Sequence, residues 1–276
     1  MMVKTFAPAK INLTLHVTGQ RADGYHLLDS LVAFASDVGD RVRVMPAEAV
    51  SLEVTGPMAA GVPTDATNLV VRAARLYDLA VAITLEKHLP TASGIGGGSS
   101  DAAATLFAMA DLTGTSAIPE GATALGADVR VCLARAAARM QGIGEQVTPV
   151  EGFPELYAVL ANPGVEVSTP GVFAALENKH GVAMPKRIPR WRGAWSALDW
   201  IARQRNDLEA PARKIAPVIG EVLDALGALP GARLARMSGS GATCFALFEA
   251  RTEADIAAEA LAEAHPDWWV TAATLR

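Results

Sequence analysis

The chain has 276 residues, 51% of them apolar and 19% charged, with a formal net charge of −5. That length predicts one large domain or two ordinary ones, and the composition excludes a disordered chain, whose signature is low hydrophobicity with high net charge. The acidic balance argues against a general nucleic-acid binder, and no apolar run approaches the ~18 residues that span a bilayer. Cys132 and Cys244 are too few and too scattered for a disulfide framework or a zinc site. The N-terminus runs straight into patterned sequence with no charged start and long apolar stretch, so a cytoplasmic globular protein is expected.

Residues 3–17 alternate apolar and polar side chains and predict a strand. Short strands follow at 27–35, 41–45 and 52–55, with Asp23-Gly24 and Gly39-Asp40 as the turns between them. Residues 68–79 have helical spacing, with Leu69, Val70, Ala73, Leu76 and Tyr77 on one face. A strand at 81–87, a glycine-rich loop and a helix over 100–112 come next. Residues 123–135 are ambiguous, and 136–142 read as a strand ending at Gly142-Ile143-Gly144-Glu145. A further strand at 156–161 closes at Asn162-Pro163-Gly164, and helices are expected at 169–176, 194–202 and 207–226. A final series of strand, strand, helix and strand covers 234–237, 243–248, 253–264 and 268–273. Residues 178–192, with Pro185, Pro189 and several basic side chains, predict an irregular surface loop without assigned function. The composition changes between Pro149 and Pro154, which predicts domains at 1–152 and 153–276.

The strongest chemical signal is Ser93-Gly94-Ile95-Gly96-Gly97-Gly98-Ser99-Ser100-Asp101. Glycines admit positive φ and let backbone N–H groups approach a ligand closely. The helix that follows leaves its first N–H groups unpaired, so loop and helix start together suit a phosphate. The plain alternative is a capped helix with Ser99, Ser100 or Asp101 as the cap, but capping needs one such residue and not four glycines in five positions. A Walker A loop is excluded because the chain contains no Gly-Lys pair, and the dinucleotide fingerprint fails because Ser99 stands at its third glycine. Lys10 and Asn12, in Pro8-Ala9-Lys10-Ile11-Asn12-Leu13, share one face of the first strand. Taken alone, Lys10 could equally be an edge-strand lysine reaching water along its stem. Asp128, in Leu125-Gly126-Ala127-Asp128-Val129, could be a turn or cap residue, and the loop 237–243 could be a hairpin turn.

Taken together, these segments resemble the GHMP kinase superfamily, with its N-terminal Asn-Leu segment, central glycine-serine loop and C-terminal Gly-x-Gly loop in that order. Within it the resemblance is nearest to the family that phosphorylates 4-diphosphocytidyl-2-C-methyl-D-erythritol. The discriminating segment is Gly19-Gln20-Arg21-Ala22-Asp23-Gly24-Tyr25-His26, joined by Asn162-Pro163-Gly164, Asn206-Asp207-Leu208-Glu209 and Ser238-Gly239-Ser240-Gly241-Ala242. The resemblance implies an α+β fold with an N-terminal α/β half, a ferredoxin-like C-terminal half and the active site in the cleft. It implies an ATP-dependent kinase acting on the 2-hydroxyl of that substrate, in the non-mevalonate route of isoprenoid synthesis. Lys10 and Asp128 would be the catalytic residues. Pro90, Gly94, Ile95, Gly96, Gly97, Gly98, Ser99, Ser100, Gly239, Ser240 and Gly241 would hold ATP, with Ser99 or Ser100 as a Mg²⁺ ligand. Asn12, Tyr25, His26 and Phe173 would hold the cytidine-diphosphate substrate. No nucleic acid, membrane or protein partner is implied. One departure stands out: Arg130 occupies the position where the family usually has proline after Gly-Ala-Asp-Val, so the segment after Asp128 is expected to start differently.

Overall fold

Residues 26–46 form one strand where two were expected: β3 runs unbroken from His26 to Pro46 in the computed structural model, which describes all 276 residues. Gly39-Asp40 is not a turn. A Cβ on Gly39 would lie 2.3 Å from the Ala7 carbonyl oxygen, so glycine serves here to let two backbones approach. Asp40 is fully buried and its carboxylate accepts the N–H groups of His88 and Leu89. Local turn chemistry was overridden by contacts with residues far away in sequence. The first predicted strand is likewise two, β1 (Val3–Asn12) and β2 (His16–Gln20), both paired with β3.

The chain forms two compact units that interleave along the sequence. The first contains Met1–Ala9, Gly39–Thr91 and Gly96–Arg135; the second contains Lys10–Val38, Ala92–Ile95 and Ala136–Arg276. All of residues 153–276 fall in the second unit, which also takes in three earlier segments because β1, β3 and the glycine loop each contribute to both.

In the first unit, β4 (Ser51–Thr55) pairs in parallel with β5 (Val81–Glu86), which pairs antiparallel with the end of β3. β5 alternates buried and half-buried residues, as expected of a strand covered on one face. Its buried Val81, Ile83 and Leu85 pack with Val42 and Val44 against Val70 of α1 (Leu69–Ala74) and Ala104, Ala108 and Met109 of α2 (Gly97–Thr113). Burying each of the larger side chains contributes about 1.5–3 kcal/mol. The ambiguous segment 123–135 resolves into a 3-10 turn, Glu120–Ala124, and a short helix α3 (Val129–Ala134), whose Val129 packs with Ala102 and Leu106 of α2. α1 ends at Ala74, short of the expected limit, with its N-cap Asn68 accepting from the Val70 N–H.

In the second unit, β6 (Ala138–Gly142) pairs with β3 and with β7 (Gln146–Pro149). Strand β8 (Leu156–Asn162) is followed by α4 (Thr169–Ala174), α5 (Ala194–Ala202) and α6 (Glu209–Ile215). The single helix expected over 207–226 breaks at Pro217, which has no N–H to donate and forces Ala216 out of helical backbone geometry; α7 (Val218–Gly227) begins after it. Then come β9 (Leu234–Met237), β10 (Cys244–Phe248), α8 (Arg251–Ala264) and β11 (Trp269–Leu275). These strands lie in the order β11-β8-β10-β9 and pair antiparallel throughout. With α7 and α8 they make the β-α-β-β-α-β arrangement of a ferredoxin-like fold. The core lies between this sheet and its helices: Val159, Ala161, Ala246 and Phe248 meet Val222 and Leu226 of α7 and Ala254 and Leu261 of α8. Arg139 on β6 is buried and commits all its donors, to both carboxylate oxygens of Asp29 and to the carbonyls of Met184, Pro185 and Lys186. No helix is long and apolar enough to cross a membrane.

Candidate active site

Helix α2 starts three residues earlier than expected, with Gly97 and Gly98 in its first turn and Gly96 preceding it at φ 66°. No side chain caps it. The first bond of the helical ladder runs from the Ser100 N–H to the Gly96 carbonyl, so the N–H groups of Gly97, Gly98 and Ser99 lie ahead of the ladder at the positive end of the helix dipole. A Cβ on Gly98 would meet no protein atom within 4 Å, which leaves open space in front of those donors. The capping alternative is not realised: Ser100 Oγ donates to the Pro8 carbonyl at 2.7 Å, and Asp101 turns to Lys87.

The Lys87 ammonium lies between Asp40 and Asp101, 2.9 Å from Asp101 Oδ2, and all three side chains are almost wholly buried. Burial works to lower the Lys87 pKa, but the two carboxylates outweigh it and hold the ammonium above its ordinary value. Burial, reinforced by the Asp40 charge, pushes Asp101 up against the opposing pull of Lys87. Asp101 Oδ1 is buried with no hydrogen-bond partner. This cluster was missed in the sequence; its only trace there is a lysine closing an alternating apolar strand.

Asp128 belongs to the same unit and precedes α3 with helical backbone angles, but its side chain does not cap that helix. Arg130 sits in the first turn of α3, where arginine and proline are both accommodated, so the segment after Asp128 starts as a helix with either residue. Pro90 follows Leu89, whose N–H is held by Asp40.

In the second unit, Lys10 and Asn12 end β1, each 4% exposed. The residues around them are tied closely to the glycine loops. The Lys10 N–H donates to the Ile95 carbonyl, the Asn12 N–H to Ser238 Oγ, and Ser238 Oγ to the Gly94 carbonyl. A Cβ on Gly94 would lie 2.3 Å from the Ser238 carbonyl oxygen, and its φ is +77°, so only glycine fits. Gly239 and Gly241 complete that loop, and Ser240 Oγ lies 2.7 Å from Thr169 Oγ of α4. Asn206 pins the loop by donating to the carbonyls of Met237 and Gly239. Neither Ser238 nor Asn206 was singled out as a site residue, although both stand in recognised segments. Asn12 Nδ2 donates to Ser30 Oγ, while its Oδ1 is buried with no partner. That carbonyl is an acceptor awaiting a hydroxyl or an amine.

His26 opens β3 and stacks on Phe173 of α4, with ring centroids 4.7 Å apart and planes 18° from parallel. Its Nε2 is buried without a partner, and burial, assisted by the nearby Lys179 charge, lowers its pKa. The imidazole is therefore neutral at pH 7 and presents one free ring nitrogen beside an aromatic face. Tyr25, 61% exposed, precedes it at the end of the Asp23-Gly24 turn, where its N–H donates to Asp23 Oδ1. The structure thus brings Lys10, Asn12, Gly94, Ile95 and Gly239 together in one unit, beside which stands the His26–Phe173 pair of the same unit. Pro90, Gly96–Ser100 and Asp128 belong to the other.

The family described as GHMP kinases N terminal domain matches residues 68–146, and GHMP kinases C terminal matches residues 192–267. A Dinoroseobacter shibae protein named 4-diphosphocytidyl-2-C-methyl-D-erythritol kinase is 58% identical over 98% of this chain and 94% of its own. A crystal structure of 4-(cytidine 5'-diphospho)-2C-methyl-D-erythritol kinase superposes with a TM-score of 0.79 at 37% identity, covering 99% of both chains. Homoserine kinase from Cytophaga hutchinsonii, at 21% identity, shares the fold with a TM-score of 0.72 over 99% of this chain and 95% of its own.

Proposed function

Because the chain belongs to the 4-diphosphocytidyl-2-C-methyl-D-erythritol kinase family of the GHMP kinases, we propose that it transfers the γ-phosphoryl group of ATP to the 2-hydroxyl of that substrate. The products are ADP and the 2-phosphate, a step of isoprenoid synthesis by the non-mevalonate route. The observation that carries the substrate assignment is the His26–Phe173 stack with its unpartnered Nε2, an aromatic face and a hydrogen-bonding edge of the kind a cytosine requires. The exposed Tyr25 ring adds area for the base, and the unpartnered Asn12 Oδ1 accepts from a hydroxyl of the acceptor.

Phosphoryl transfer asks the protein chiefly to align the hydroxyl and to stabilise charge. The N–H groups of Gly97, Gly98 and Ser99 receive phosphate oxygens, and Pro90, Gly94, Ile95, Gly96, Ser100, Gly239, Ser240 and Gly241 shape the rest of the nucleotide site. The open space at Gly98 suits a phosphate group. Asp128 accepts or orients the proton of the 2-hydroxyl, and Lys10 offsets negative charge on the group in transit. Mg²⁺ neutralises phosphate charge when bound. It is characteristically held by phosphate oxygens and water with few protein ligands, and Ser99 or the Ser100 hydroxyl, whose proton goes to Pro8, retains lone pairs for it. Residues 1–152 and 153–276 are the family's N- and C-terminal domains in this reading, each enclosing one matched segment. The cytoplasm is the assigned compartment, where the buried thiols of Cys132 and Cys244 stay reduced.

The test is Mg-ATP-dependent ADP release with 4-diphosphocytidyl-2-C-methyl-D-erythritol, run beside mevalonate and homoserine, with CMP as competitor. Release with the cytidine substrate alone, inhibited by CMP, supports the assignment. Release with mevalonate or homoserine and indifference to CMP overturns it, and ATP binding without release would mark a silent nucleotide-binding protein.

A further inference from the structure

Lys87 is anchored at both ends. Its N–H donates to the Thr55 carbonyl and its carbonyl accepts from the Met58 N–H, while a Cβ on Gly56 would lie 2.4 Å from that carbonyl oxygen. Its stem is buried, and its ammonium is 3.5 Å from where a Cβ on Gly97 would stand, directly beside the first turn of α2. Asp40, on β3, joins the ammonium to the N–H groups of His88 and Leu89, just ahead of Pro90. Asp101, on α2, joins it to the helix that begins at Gly97. Two segments of the proposed nucleotide site therefore meet at one buried cation.

Burying three charged groups is costly, and well-packed apolar side chains of similar volume would commonly stabilise the fold as well or better. Asp101 even leaves one carboxylate oxygen unpaired. What an apolar cluster would not supply is direction. The ion pairs fix the angle and depth at which the end of β5 meets the first turn of α2, and a helix start carrying two glycines has little stiffness of its own.

We propose that Lys87 is a positioning residue for ATP, which, acting through Asp40 and Asp101, holds the first turn of α2 so that the Gly97, Gly98 and Ser99 N–H groups are preset for phosphate. This inference rests on the kinase reading above. It concerns the nucleotide only: the cytidine-binding residues lie in the other unit and have no contact with the cluster through any of its bonds.

The experiment compares the full-length protein with its Asp101→Ala, Asp101→Leu and Asp101→Asn variants. Alanine and leucine remove the tie to α2 while leaving Lys87 and Asp40 as a neutral pair, and leucine also fills the space; asparagine keeps an oxygen for the ammonium. Affinity for a non-hydrolysable ATP analogue is read by calorimetry, thermal unfolding is recorded on the same samples, and KM is determined for both substrates. The folded Ala or Leu variant should bind the analogue about ten-fold more weakly, the scale of one lost charged hydrogen bond. KM for the cytidine substrate should stay within about two-fold, and asparagine should recover most of the nucleotide affinity. Unchanged analogue affinity in the folded variants, whatever their unfolding temperature, overturns the inference, as does equal weakening of both ligands. A wild-type protein that does not bind the analogue overturns the kinase reading together with this one, so the two failures are told apart.

Discussion

The two units offer their ligands different kinds of group. The first presents backbone: three N–H donors at a glycine-lined helix start, with open space where a side chain would be. The second presents side chains with unfilled hydrogen-bonding capacity, Asn12 Oδ1 and His26 Nε2, each buried and without a partner. The difference follows from what must be recognised. A phosphate is the same from every side and is met by a dipole and a ring of N–H groups, whereas a base has a distinctive edge that only placed side-chain atoms can read.

That contrast can be broken in graded steps. The largest effect should come from Asp128→Asn, which should lower turnover by about 10²-fold or more, the scale of general-base catalysis, with ATP affinity nearly unchanged because phosphate is held by backbone. Near-normal turnover in rapid-mix assays would remove Asp128 from the chemistry. His26→Ala should raise KM for the cytidine substrate by about ten-fold or more through the lost edge bond and ring face, and leave KM for ATP alone. Equal losses for both substrates would contradict the division. Gly98→Ala puts a methyl group where phosphate is expected and should raise KM for ATP several-fold, on the order of 1 kcal/mol, without touching the cytidine substrate. An unchanged KM for ATP would show that the open space is not where phosphate binds.

The smallest effect is one of pH. The folded-state pKa of His26 lies below 6.5, so the imidazole stays neutral from pH 8 down through 6.5. The folded protein then binds fewer protons than the unfolded chain, and this contribution to stability is present above pH 6.5 and is lost as pH falls further. Affinity for the cytidine substrate should accordingly be flat above pH 6.5 and decline a few-fold below it. His16, buried on β2, shifts in the same direction through burial, so His26→Gln is the control that isolates the ligand's share. A decline already complete by pH 7 would contradict the assignment.

The sequence made some of this visible and hid the rest for physical reasons. The glycine loop, the Asp23-Gly24 turn and the Lys10–Asn12 pair are local signals, each carried by a few adjacent residues, and they stand where they were expected. The β-α-β-β-α-β half followed from periodicity, because each of its elements buries one face. Gly39-Asp40 misled because the same two residues that favour a turn also permit close backbone approach and a buried carboxylate. Pro217 was in plain sight, but the apolar period continues on both sides of it. The clusters at Lys87 and Arg139 were illegible, since Asp40, Lys87 and Asp101, like Asp29 and Arg139, meet only after the strands between them have paired.

The interleaving of the two units bears on how such a chain can be recombined. The backbone passes from one unit to the other after residues 9, 38, 91, 95 and 135, and never again. A chimera of two related genes joined anywhere before residue 136 would mix parental sequence within at least one unit, setting side chains from different parents against each other in one core. A junction beyond it leaves the first unit wholly from one parent, so productive crossovers should accumulate in the C-terminal half of the gene.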